Sequence, residues 1–165
     1  VLDLLTVCER EGIRVFWRQL DPEEGKLLGM YFRSPKGKPV IVLDESLQHR
    51  IPLGRSVLAE ELAHYYTVPT ADHFNHGPDE SLNRQAIWRD EYKALRLAAN
   101  MLIPTSALAE AAKKGIFLPH ELAEYFTVEE YIVWRKFHVL RTDLREQWKL
   151  RAAAPDIMSP LLVAV

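Results

Sequence analysis

Apolar positions fall into two patterns along the chain. The first 50 residues carry short apolar and β-branched runs, and the remainder carries apolar residues at helical spacing. LDLLTVCERE (2–11) reads as a short helix that Gly12 breaks. IRVFWRQL (13–20) and LLGMYFRS (27–34) are rich in β-branched and aromatic residues and predict strands. DPEEGK (21–26) is a turn between them. PKGK (35–38) is a hairpin-type loop into a third strand, PVIVLDESL (39–47), with Pro39 confined to its first position. These runs predict a small, mostly antiparallel sheet.

Beyond Pro52 the spacing predicts a helix from about Leu53 to Tyr66, which Pro69 stops. PTADHFNHGPDES follows as a loop. The longest helix runs from about Ser81 to Leu102 and ends at Pro104. A short helix reaches Lys113 or Lys114 before Gly115, another follows Pro119, and residues 128–148 form one or two more. The fold class is α+β, with the sheet first and a helical core after it. One domain spans 1–150 and a tail spans 151–165.

Composition narrows the function classes. The chain has 165 residues, 48% of them hydrophobic and 27% charged, enough to bury a core in one domain. Lys plus Arg is 21 and Asp plus Glu is 23, a net charge of −2. No overall field draws the chain to nucleic acid or to an anionic membrane. Cys8 is the single cysteine, so no internal disulfide forms; this suits a reducing, cytoplasmic setting. Among Leu5, Val7 and Ile13 it reads as a small buried hydrophobe. No apolar run has the length to cross a bilayer, and the early residues do not read as a secretory leader.

The chemistry centres on SVLAEELAHYYT (56–67). Glu60 and His64 lie one turn apart on one face, away from Leu58 and Leu62, so both can reach one ion. Glu61 flanks that position as a candidate general base for a bound water. The plainer reading is a surface Glu–His pair. A second helix bears on the choice. Glu91 falls near the middle of an apolar stripe with Ile87, Trp88, Ala94, Leu95, Ala98 and Leu102. A carboxylate there needs a partner: a divalent ion shared with Glu60 and His64, a buried salt bridge, or a proton. Two carboxylates and one imidazole would leave a fourth position for water, as in an open catalytic site. Tyr65 and Tyr66 are candidate oxyanion donors by proximity alone, and residues of this kind more often serve packing.

AEELAHYYT and the element RDEYKALRLAANMLIP (89–104) resemble the ImmA/IrrE family of metallopeptidases, many of them encoded by phages and mobile elements. VIVLDESL (40–47) resembles the family's edge strand beside the active-site cleft, and LPHELAEYFTVEEYIVWRKF (118–137) its downstream helices. The likeness covers most of residues 12–140. It implies a zincin-like core and a metal-dependent endopeptidase. Glu60, His64 and Glu91 would be the ligands of one divalent ion, zinc first with manganese or iron as alternatives, and Glu61 the catalytic base. It also implies a protein substrate, a helix-turn-helix repressor in family members of the standard type. The usual helix of the family carries His-Glu-x-x-His; AEELAHYYT is similar to a Gram-positive branch with Glu at the first position, and Glu60 is the departure from the usual motif. The added negative charge weakens a metal as a Lewis acid and admits an alternative: a catalytically weak or inactive protein that binds a repressor or toxin.

Other histidines are weaker candidates. His73 and His76 share a loop. His120 has Glu rather than His at position 124, so Glu121 and Glu124 read as a solvated face. His49 and His138 read as structural or exposed. Trp17, Trp88, Trp134 and Trp148 read as core. The 119–137 element offers only Arg135 and Lys136 as neighbouring cations among acids, so direct nucleic-acid binding is not expected.

Overall fold

The computed structural model describes residues 2–20, 27–67 and 80–153. Along these, helix α1 (Leu2–Arg10) leads to β1 (Arg14–Arg18), β2 (Gly29–Arg33) and β3 (Pro39–Asp44). A 3₁₀ turn (Glu45–His49) precedes α2 (Ile51–Thr67), α3 (Glu80–Leu102), α4 (Thr105–Lys113), α5 (Pro119–Phe126) and α6 (Glu130–Ala153). The turn expected at 21–26, the histidines at 73 and 76 and the tail from residue 154 lie outside the described residues.

Local chemistry sets these boundaries. Gly12 takes a left-handed φ of 70°, and the Ile13 amide returns to the Cys8 carbonyl at 2.8 Å, which stops α1 and starts β1. The third strand is shorter than its apolar run suggested. The Asp44 carboxylate accepts from the Ser46 amide at 3.0 Å and from the Leu20 amide at 2.9 Å, turning the chain into the 3₁₀ element. Pro52 lies inside the first turn of α2 rather than ahead of it, where a missing N–H costs nothing.

The sheet has the order β1-β3-β2. The expected antiparallel pairing holds for β2 and β3, with Tyr31 opposite Ile41. β1 instead runs parallel to β3, with Val15 beside Ile41, so the sheet is mixed. β3 is therefore central. The expectation that residues 40–47 form the edge strand is corrected, because the backbone groups of β3 are used on both sides. The edge nearer α2 is β2.

Helix α2 packs against β2 and β3 on one side and α3 on the other. Leu58, Ala59, Leu62 and Ala63 are fully buried, as the wheel predicts, and they meet Ile41 and Leu43 of β3 within one core. Cys8 is buried in the same core. The tryptophans depart from expectation. Trp17 packs partly on the core, but Trp88 is 75% and Trp134 57% exposed. Both stand on outer helix faces that no described element covers, and the side chain of Trp148 lies outside the described residues.

At the far end of the core, Thr127 caps α5 in the left-handed region with φ 53°. The Glu129 amide then donates to the Ser56 hydroxyl of α2 at 3.1 Å. Ser56 is fully buried and donates in turn to the Pro52 carbonyl at 2.9 Å. This link fixes where α6 begins relative to α2.

Candidate functional site

Helices α2, α3 and α6 and the edge of β2 meet around residues 60–64 of α2. His64 is largely buried, and its Nε2 lies 3.7 Å from Glu91 Oε2 of α3. The pairing of these two residues across helices was legible in the sequence. The reason given for it was not. The Glu91 side chain is 46% exposed. The apolar stripe of α3 is covered only from Ala94 onward, so Glu91 sits at the rim and needs no ion to excuse its burial.

Glu60 occupies the position of the first motif histidine. Its carboxyl accepts a hydrogen bond from the Tyr131 hydroxyl of α6. The other oxygen, Oε1, is buried without a hydrogen-bond partner. Burial pushes the Glu60 carboxyl above the ordinary range, and the Glu91 charge adds to the effect. Tyr131 and Arg135 oppose it. Tyr131 exposes 41% of its surface, yet its hydroxyl reaches both Glu60 and Ser56. Its own pKa is driven upward by burial of the hydroxyl and by the Glu60 charge.

Glu61 faces the sheet. Its carboxylate accepts from the Tyr31 amide on the edge of β2 that no described strand pairs with. Burial, with the Glu60 and Glu91 charges, raises it to about 8. Gly29 makes this approach possible. A Cβ there would stand 2.6 Å from Val57 Cγ1 and 3.1 Å from both Cγ and Oε1 of Glu61.

The expected oxyanion donors are not at this centre. Tyr65 packs edge-on against Tyr31 with ring centroids 5.9 Å apart, and Arg33 lies over its ring. Tyr66 is turned to Glu11, beyond α1. The hydroxyl that does reach the centre belongs to Tyr131, which sequence reasoning passed over. Nothing in a helical period links positions 131 and 60; only the packing of α6 onto α2 does. Lys136, one of the two neighbouring cations of the 119–137 element, is buried and donates to Asn100 Oδ1 at 2.7 Å and Thr105 Oγ1 at 2.8 Å. One further reading is corrected. Glu121 is not simply solvated, since it accepts from the Leu118 amide at 3.2 Å and caps α5.

The donor set does not fit a three-ligand metal centre as it stands. His64 and Glu91 converge at 3.7 Å, and Glu60 Oε1 is buried without a hydrogen-bond partner. Among the described residues, no group of three or more His, Cys, Asp or Glu side chains is arranged to hold a metal ion. No described helix is long and apolar enough to cross a membrane.

Residues 8–138 match the peptidase family M78 model, described as the IrrE N-terminal-like domain. No curated protein and no solved structure matches the chain.

Proposed function

Because the chain belongs to the IrrE N-terminal-like domain family, with most of its length matched, we propose that it is a partner-binding regulatory protein whose peptide hydrolysis is weak or absent. The observation that carries this reading is the state of Glu60: the first motif position holds a carboxyl bonded to Tyr131 in place of an open imidazole. The β2 edge beside Glu61 supports a binding role, since an extended segment can add to a free strand edge through main-chain bonds. The partner is a regulatory protein, with a helix-turn-helix repressor first by family likeness. The balanced charge gives no support to direct contact with nucleic acid.

A second reading is a metal-dependent endopeptidase of low turnover. It is favoured by Glu61, which keeps its motif position, buried beside His64, Glu91 and the β2 edge. In that reading Glu61 is the general base, and Glu60, His64 and Glu91 supply the donors for zinc, manganese or iron.

Mixing the chain with a helix-turn-helix regulator separates the two. Gel filtration reads complex formation and mass spectrometry reads cleavage, with zinc or manganese added. The binding reading expects a stoichiometric complex and an intact regulator. More than one cleavage event per chain, lost in Glu61→Gln, would establish the peptidase reading instead.

A further inference from the structure

Trp134 of α6 is exposed over 57% of its surface, yet it is held in place. Its indole Nε1 donates to the Glu130 carboxylate at 2.9 Å. Its ring stands edge-on to Phe137, with centroids 5.9 Å apart. With His138 and Arg141 these two rings line a surface hollow of about 270 Å³. Pockets for small molecules begin at about 300 Å³, so the hollow suits one side chain of a larger partner. Helical spacing carries the same face along α6. Tyr131 lies one turn before Trp134 and Arg145 one turn after Arg141, both exposed. The face begins where the Glu129 amide joins Ser56, one turn before Glu60 on α2, and so adjoins the candidate site.

The charge of this face runs against that of the chain, which is −2 overall. Arg141 and Arg145 have no ion-pair partner among the described residues, whereas Asp143 is engaged by Arg96 of α3 at 2.7 Å. Glu130 is taken up by the Trp134 indole. We infer that this face of α6 is a docking surface for an acidic segment of a partner protein, with an apolar side chain seated between Trp134 and Phe137 and carboxylates on Arg141 and Arg145. The inference rests on the partner-binding reading above and gives it a second contact surface besides the β2 edge. Bare aromatic rings rimmed by polar groups mark interaction surfaces, and Trp and Arg dominate binding energy where proteins meet. Trp134 is already fixed by Glu130 and Phe137, so seating a partner on it orders little that was free. Two arginines are too few for a nucleic-acid surface, which neutralises many phosphates.

The probe is a fluorescein-labelled amphipathic peptide with Asp and Glu on one side of a helix and Leu and Phe on the other. It is titrated with the full chain and read by anisotropy, and a matched peptide with Lys for every acid is the control. The acidic peptide should bind, more weakly as salt rises, and the lysine peptide should not. Trp134→Ala should weaken binding about thirtyfold and Arg141→Glu about tenfold. Both side chains are exposed, so both variants should fold, which circular dichroism checks. The Trp134 indole N–H signal in NMR, assigned by its loss in Trp134→Phe, should shift as peptide is added to wild type. No binding of the acidic peptide, equal binding of the two peptides, no loss in either variant, or an unmoved Trp134 signal would overturn the docking surface. So would tighter binding of duplex DNA, or self-association of wild type that Trp134→Ala abolishes, which would seat a second copy there. Failure of this surface and failure of the partner-binding reading look different: the first is a regulator complex untouched by Trp134→Ala, the second is no regulator complex at all.

Discussion

Replacing Gly29 with Ala should destabilise the chain and disturb Glu61 together. The new methyl would lie 2.6 Å from Val57 Cγ1, closer than carbon atoms approach one another, and 3.1 Å from Glu61 Oε1. Val57 is buried on α2, and its β-branched side chain has little rotamer freedom in a helix. Relief must come from β2 moving away from α2 or from Val57 leaving its rotamer. Overpacking of this kind costs about 1–3 kcal/mol. In a chain of this size that lowers Tm by roughly 3–10 °C. The direct measurement is urea denaturation of wild type, Gly29→Ala, Val57→Ala and the double variant. If the clash is the cause, the two substitutions compensate, with a coupling energy of about 1 kcal/mol or more. Additivity within about 0.5 kcal/mol, or a Gly29→Ala chain as stable as wild type, would refute the close approach of β2 to α2.

Two further outcomes follow from buried charge. Glu61 is raised from 4.5 to about 8 when folded, so the folded state holds a proton that the unfolded state gives up above pH 4.5. Its contribution to stability is therefore full below pH 4.5 and lost as the pH climbs through 8. Urea midpoints measured from pH 5 to 8 should fall more steeply in wild type than in Glu61→Gln, by up to about 1.4 kcal/mol per pH unit; parallel profiles would count against the raised carboxyl. Lys136→Met should cost about 1–3 kcal/mol by calorimetry, because Asn100 and Thr105 lose their buried donor; an unchanged Tm would mean that the lysine does not join α3, α4 and α6.

The sequence made the element order legible because its signals are local. β-branched runs, proline stops and helical periods act within a few residues, and they located all three strands and the helices to within a few positions. The one-turn spacing of Glu60 and His64 on α2 was legible for the same reason. Properties set by distant segments were not. Whether a helical stripe is buried depends on what lies over it: Ala94 and Ala98 are covered, whereas Trp88 and half of Glu91 stand clear at the other end of the same stripe. Strand order was hidden likewise, since the apolar runs of β1 and β3 look alike and only their pairing makes β3 central.

The wrong premise about Glu91 still led to the right neighbour, and the physical reason bears on the function. The Glu91 charge disfavours ionisation of Glu60, and the Glu60 and Glu91 charges disfavour ionisation of Glu61, with His64 beside Glu91. An ion is one way to hold such a group together; a set of protons and hydrogen bonds is another. Tyr131 bonds Glu60, the Tyr31 amide bonds Glu61, and Glu91 turns half to solvent beside His64. A histidine at position 60 would be a poorer acceptor for Tyr131 while its neutral form held an ion. Zinc retention and regulator cleavage, measured on the same chain, tell the two courses apart.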